Sequence, residues 1–421
     1  MTRLCLIGGV QTPVFETAHV GAKAAHLAAM ARAGLPVPPA FVLPVELCAA
    51  VAAGRHKALA ELDDRLAEGI AFLEAETGHR FGDRRRPLLV SVRSGAAVSM
   101  PGMLETVLDV GANDTTVAGL VRSTGNPRFA LDCRRRLVEG YAETVLGLDP
   151  RPLAARLAEL VAEEKVASDR DLDGEALARH VAACRAHAEA GGGVPADPMA
   201  QLAAAARAVF ASWSADKAVT YRRLNRLDDL AGTAVVVQAM VYGNADGRSG
   251  AGVAFSRDPS TGRPEPVIEL LFDAQGEDVV SGRRTPLGRD ALERRLPTVA
   301  AELMAALTAL ERAFRDVQDV EFTIESGRLW LLQTRAAKRT PRAALRFAVD
   351  LVAEGVLDEK QALARLADLD EAALDECVFA EEPADPWAVG LAASPGVAVG
   401  RLATSVAAAE RLAAAGEPVV L

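Results

Sequence analysis

The stretch Thr233-Ala-Val-Val-Val-Gln-Ala-Met-Val-Tyr242 constrains the fold more than any other. It is rich in β-branched residues, is bounded by Gly232 and Gly243, and reads as the clearest strand of the chain. A strand of that kind needs neighbours, and shorter apolar runs supply them: Phe41-Val-Leu, Leu88-Leu-Val-Ser-Val, Gly252-Val-Ala-Phe-Ser and Pro266-Val-Ile-Glu-Leu-Leu. Most of the remaining text is helical, so the expected class is α+β, a mixed α/β protein, and an all-helical bundle is excluded. The chain has 421 residues, half of them hydrophobic, enough for about three domain-sized units and incompatible with a disordered chain.

Residues 17–33 read as a helix that stops at Gly34 and Pro36, and 48–78 as a helical pair broken near Gly54. From 113 to 192 the text is helical and charged, ending in Gly191-Gly-Gly-Val-Pro. This block is expected to be a helical insertion between 1–112 and 193–243, which together form a first lobe. A second lobe covers 244–340, with an amphipathic helix near 298–315 and a hairpin over 317–335. Residues 341–387 predict a helical linker, and 388–421 the incomplete start of another unit, since about thirty residues bury no core of their own.

The net charge of −10 and pI near 5.3 argue against a nucleic-acid binder, which needs a basic surface. Five cysteines, scattered and never in a C-x-x-C pair, form neither a disulfide framework nor a zinc site. No apolar run approaches the ~18 residues that span a bilayer. A soluble cytoplasmic protein with no nucleic-acid or membrane partner is expected.

Chemistry concentrates in two places. In Ser91-Val-Arg-Ser-Gly-Ala-Ala-Val-Ser-Met-Pro-Gly-Met a strand carrying Arg93 enters a loop of small residues. Small residues let backbone N–H groups approach an anion, and a guanidinium binds phosphate oxygens bidentately. No Gly-Lys-Ser/Thr closes the loop, so it is not a Walker loop, and an ordinary turn has the same composition. In Gln318-Asp-Val-Glu-Phe-Thr-Ile-Glu-Ser-Gly-Arg-Leu-Trp-Leu-Leu-Gln-Thr-Arg, Asp319 and Glu321 share one strand face while Val320, Phe322 and Ile324 fill the other. Carboxylate and amide oxygens on a rigid strand are the hard ligands Mg²⁺ takes while it bridges nucleotide phosphates, although a solvated edge hairpin alternates in the same way. A two-residue turn at Ser326-Gly327 turns Gln333 away. A three-residue turn with a bulge at Gly327 sets Gln333 opposite Asp319, and this second geometry is the one expected.

Only six of the 47 basic residues are Lys, which makes Lys23 on the first helix informative. Gln238 and Met240 share a face of the central strand. The six histidines have no carboxylate at metal-ligand spacing and are assigned structural or surface roles.

Taken together, these segments resemble the N-terminal nucleotide-binding part of the pyruvate, phosphate dikinase family. The strings are Ser91–Met103, Gly125-Asn-Pro-Arg-Phe-Ala, Ala218-Val-Thr-Tyr-Arg-Arg-Leu-Asn, Gly252-Val-Ala-Phe-Ser-Arg-Asp-Pro-Ser-Thr-Gly, Asp273-Ala-Gln-Gly-Glu-Asp-Val-Val-Ser-Gly, and Gln318 to Thr340. The resemblance implies an ATP-grasp-like two-lobed domain followed by the opening of a swivelling phosphohistidine domain at Gly390-Leu-Ala-Ala-Ser-Pro-Gly. It implies that Lys23, Arg93 and Arg335 contact ATP phosphates under the loop of Ser99, Met100, Gly102 and Met103. Gln238 and Met240 are implied to line the adenine pocket, and Asp319, Glu321 and Gln333 to hold Mg²⁺.

Three departures stand out. Ala97 replaces an Arg of the family loop, and Ala22 replaces a Gly. The Gly-Gly-Met-Thr-Ser-His type segment that carries the phosphorylated histidine is absent. The implied function is an ATP-dependent phosphotransferase module that binds ATP but makes no phosphoenolpyruvate by itself. Its partners are ATP and a phosphohistidine domain, with a homodimer also compatible. A shortened kinase for another acceptor, or an ATP-sensing module that transfers nothing, are the alternatives.

Overall fold

Nine of the strands make up two antiparallel sheets, and the site lies where those sheets face each other. The computed structural model describes residues 4–98, 100, 102–280, 284–369, 371–375, 381, 385–386, 388 and 397–421. The strands are β1 (Cys5–Ile7), β2 (Ala40–Leu43), β3 (Arg80–Phe81), β4 (Pro87–Leu88), β5 (Val90–Gly95), β6 (Thr106–Val110), β7 (Ala234–Ala239), β8 (Gly250–Phe255), β9 (Val267–Phe272), β10 (Gln318–Glu325) and β11 (Arg328–Ala336). The first sheet runs β1-β2-β7-β5-β6 and the second β11-β10-β8-β9, while β3 and β4 form a small separate pair. The Val-rich run of residues 234–239 is thus the central strand of the first sheet, with all six residues buried. The mixed α/β class is borne out.

The helices that follow in chain order are α1 (Thr17–Arg32), α2 (Cys48–Ala52), α3 (His56–Thr77), α4 (Asp114–Thr124), α5 (Pro127–Thr144), α6 (Arg151–Glu163), α7 (Gly174–Glu189), α8 (Pro198–Ala211), α9 (Asp216–Leu224), α10 (Gly276–Val280), α11 (Arg289–Arg295) and α12 (Pro297–Phe314). Pairing puts Phe41, Val92, Val235 and Val237 on one face of the first sheet, where they join the buried core with Leu66, Phe129 and Phe210. The opposite face carries Ile7, Val42, Val236, Gln238, Ser91 and Arg93. Its apolar members pack in a second core with Leu27 and Met30 of α1, Leu303 and Leu307 of α12, and Val320, Phe322 and Ile324 of β10. Between β6 and β7 every regular element among the described residues is helical.

Helix α1 is broken at Gly21, whose φ of 78° and ψ of 160° lie outside the helical region. A Cβ there would sit 1.8 Å from the Gly95 carbonyl oxygen at the end of β5. The backbone of Ala22 then donates to the Ala96 carbonyl at 2.9 Å, so the helix restarts against the edge of the phosphate-type loop. The positive φ falls on Gly21, and the side chain at Ala22 needs no special backbone.

Residues 257–266, 315–317 and 337–421 form a second compact unit. It holds α13 (Pro341–Ala353), capped by Thr340, and α14 (Glu359–Arg365), opened by a capping box of Asp358 and Gln361. Arg257 is buried there and pairs with Glu354 at 2.5 Å. Further on, α15 (Val406–Ala414) lies between β12 (Arg401–Leu402) and β13 (Val419–Val420), which pair in parallel. The stretch 389–396, where the resemblance to a phosphohistidine domain begins, lies outside the described residues.

Gly21→Ala should cost about 3 kcal/mol in urea unfolding, because the new methyl meets backbone and the φ is one that L residues avoid. Ala22→Gly should cost no more than ~1 kcal/mol. Equal effects of the two would contradict this account of the break.

Candidate functional site

The hairpin of β10 and β11 carries the acidic side of the site, and its geometry differs from the expectation. Glu325 pairs with Arg328, leaving a two-residue turn rather than a three-residue one. Ser326 and Gly327 both have positive φ, 50° and 82°, which is the primed turn whose twist matches that of the strands. The extra residue is accommodated further along, where the register shifts between Glu321 and Phe322 and leaves Leu332 as the bulge. The bulge brings Gln333 onto the acidic face opposite Glu321, and Arg335 opposite Asp319. Gln333 therefore joins the carboxylates, though its partner is Glu321 and the cause is a mid-strand bulge.

On that face the Gln333 amide donates to Glu321 Oε1 at 3.4 Å, and Arg335 Nε donates to Asp319 Oδ2 at 2.7 Å. Asp319 is buried, while Glu321 remains partly open. All three candidate metal ligands offer oxygens from one face of one hairpin.

The cationic side comes from the first sheet and α1. Arg93 points from β5, its Nε buried without a hydrogen-bond partner among the described residues. Lys23, just past the break in α1, is held below its ordinary pKa, at about 7. Burial is the largest cause, followed by repulsion from Arg93. Attraction to Glu321 opposes it, and Arg335 lowers it further. The four charged side chains predicted from separate parts of the sequence are thus electrostatically coupled at one place.

Between the sheets lies a cavity of about 300 Å³. Arg93, Gln238, Met240, Glu321 and Leu332 are among its lining residues, and so are Gln275 and the first residues of α10, Gly276 and Glu277. Gln238 is buried and its amide donates to the Pro38 carbonyl at 3.1 Å. Met240 follows the end of β7 and its backbone donates to Leu89. In the loop after β5, Met100 is buried in the core, Met103 packs beside it and Gly102 is exposed with φ 72°. None of these three lines the cavity, and Ser99 lies outside the described residues.

Sequence reading missed the network that fixes the Gln275–Glu277 side of the cavity. Asp132 of α5 accepts from Arg135 at 2.7 Å, Arg136 at 2.8 Å and Asn244 at 2.9 Å. Burial alone would raise the Asp132 carboxyl, but the two guanidiniums outweigh it and hold the group ionised. Asn244 accepts from Gln275 at 2.9 Å, and Arg136 reaches Glu277 at 2.6 Å and Asp278 at 3.0 Å. Signals existed in the Arg134-Arg135-Arg136 run and in the string around Gln275, but the partners lie more than a hundred residues apart in the chain.

A cavity of about 300 Å³ between two antiparallel sheets, with Arg93 on one wall and Glu321 on the other, marks the candidate site of this mixed α/β protein. Residues 55–288 and 289–354 match the family model for the pyruvate phosphate dikinase AMP/ATP-binding domain. The chain is 41% identical over 412 residues to pyruvate, phosphate dikinase of Clostridium symbiosum, covering 96% of this chain and 47% of that protein. It is 41% identical over 426 residues to the Rhizobium meliloti enzyme, with 96% and 46% covered. The chloroplastic enzyme of Flaveria pringlei is 41% identical over 410 residues, with 96% and 42% covered. The chain belongs to the pyruvate, phosphate dikinase family and carries its ATP-binding phosphotransfer module. It spans about half the length of these relatives. Among the described residues no helix is long and apolar enough to cross a membrane.

Beside the Asp132 network, Asp109 is fully buried at φ 54° and neither carboxyl oxygen has a hydrogen-bond partner among the described residues. Burial pushes its pKa up from 3.8 to about 8, against the pull of Arg136. The folded chain therefore keeps a proton that the unfolded chain releases near pH 4. Stability should fall as pH rises from ~5 to ~8, with this group contributing up to about 1.4 kcal/mol per pH unit. Asp109→Asn should flatten that fall, measured by urea unfolding at pH 5.5 and 8. Parallel pH profiles for the two proteins would contradict the assignment.

Proposed function

We propose that this chain binds Mg·ATP in the cavity between its two sheets and passes phosphoryl groups to an imidazole on a phosphohistidine domain. The observation that carries this reading is Arg93 on the cavity wall, with Lys23 electrostatically coupled to it. Two coupled cations, one with its Nε buried and unpartnered, are costly unless an anion joins them. ATP phosphates supply that charge, and the restart of α1 at Ala22 adds the positive end of a helix.

In this reading Lys23 and Arg93 bind phosphate oxygens and offset the charge that builds up during transfer. Arg335 reaches the same phosphates while its bond to Asp319 orients it. The segment from Gln238 to Val241 borders the base. The donor set of Asp319, Glu321 and Gln333 fits Mg²⁺, since it consists of hard oxygen ligands on a rigid hairpin. When bound there, Mg²⁺ supplies neutralisation and alignment of the phosphates. The three side chains themselves hold the acidic wall apart from the cationic one and leave room for the phosphates between. The buried thiols Cys48, Cys133 and Cys184 form no disulfide among the described residues, which supports a reducing, cytoplasmic setting.

Glu321→Gln should keep the fold and its melting temperature but lose the stabilisation that Mg·ATP confers. For the parent chain that stabilisation is about 2.7 kcal/mol at a hundredfold excess over Kd. Unchanged ATP affinity of the variant in the presence of Mg²⁺ would overturn the assignment.

A further inference from the structure

Helices α5 and α7 bring together three side chains that the proposed ATP chemistry does not use. Glu139 comes from α5, and His180 and Cys184 from α7, where a spacing of four puts them on one face. Their donor atoms all lie within 4.8 Å of one another. His180 Nε2 is 2.8 Å from Glu139 Oε1, Cys184 Sγ is 3.4 Å from His180 Nε2, and Cys184 Sγ is 3.8 Å from Glu139 Oε1. The histidines and cysteines were read from sequence as having no metal role. That reading missed this cluster because the carboxylate lies 41 residues before His180.

We propose that Glu139, His180 and Cys184 form a binding site for a borderline divalent transition-metal ion of the Zn²⁺ type. Sulfur, imidazole nitrogen and one carboxylate oxygen suit such an ion, whereas Mg²⁺ takes oxygen donors. Tetrahedral Zn²⁺ with ordinary bond lengths separates its ligands by about 3.3–3.6 Å. Only the His180–Glu139 contact has to widen, by about 0.5 Å.

The remaining requirements are met by the surroundings. Glu139 Oε2 accepts from Arg135 at 2.8 Å, and Arg135 is itself held by Asp132, so the carboxylate is oriented from behind. His180 Nδ1 is buried with no partner among the described residues, so nothing in the packing prevents Nδ1 from carrying the proton and Nε2 from offering its lone pair. The His180 side chain is fully enclosed while Glu139 is 26% exposed, which leaves a way in and a fourth position for water. On binding, the sulfur–metal bond forms and the thiol proton of Cys184 leaves to solvent. The ion would cross-link α5 to α7 next to the arginines that fix the Gln275 loop.

The test uses the whole chain in saturating Mg²⁺, so that hard oxygen sites are filled, with Co²⁺ as the probe. The expected result is one Co²⁺ per chain, a thiolate-to-cobalt charge-transfer band in the near ultraviolet, about one proton released per ion, and displacement of Co²⁺ by Zn²⁺. Cys184→Ser should abolish the band and weaken binding at least tenfold, while Cys48→Ser leaves both unchanged. If Cys184→Ser does not fold, Glu139→Gln at its partly exposed position should weaken Co²⁺ binding by a similar factor. Absence of the band from the folded parent chain, or its persistence in Cys184→Ser, overturns the proposal. Undiminished affinity in folded Glu139→Gln does so as well.

Discussion

The approach of α1 to the end of β5 is the constraint on which the rest depends. At Gly21 the helix gives up its regular path so that its backbone can lie against Gly95, at a distance that leaves no room for a side chain. The Ala22–Ala96 hydrogen bond then locks the restart of the helix to the loop after β5. One turn on the wrong side of that break would move Lys23 away from Arg93, and the coupling of the two cations would be lost. Backbone contact is well suited to this task, because it holds two charged side chains close without adding a carboxylate that would neutralise them.

The opposite wall solves a complementary problem. Carboxylates that face a common cavity repel one another, and the hairpin tempers this by giving Asp319 to Arg335 and Glu321 to Gln333. Glu321 is partly open and attracts Lys23. Arg93 on the first sheet and Glu321 on the second line the cavity from opposite sides, and each sheet has an apolar backing of Val, Leu and Phe. An ordered polar bridge, Asp132 with its two arginines and Asn244, ties the helical block to the loop that lines the third side. Such a bridge is stable because every lone pair of the buried carboxylate is used. Asp109 alongside it is the counterexample, a buried carboxyl beside the Cys133 thiol whose charge burial disfavours, so that it stays neutral instead.

What the sequence determined by itself is substantial. The mixed α/β class followed from the Val-rich run at 234–239 and its companions, because period and β-branching are local properties. The face shared by Asp319 and Glu321 followed from strand alternation alone, and six unusual strings in order were enough to resemble one family. The tertiary structure decided the remainder. Whether Gln333 joins the carboxylates depended on where the hairpin put its extra residue. Ser326 could take a left-handed φ, so the turn closed in two residues and the bulge moved to Leu332. The coupling of Lys23 to Arg93, the bond of Asn244 to Asp132, and the meeting of Glu139 with His180 and Cys184 all join residues distant in the chain. No spacing rule along one segment reaches across helices and sheets, since such contacts exist only once packing has fixed the distance between them.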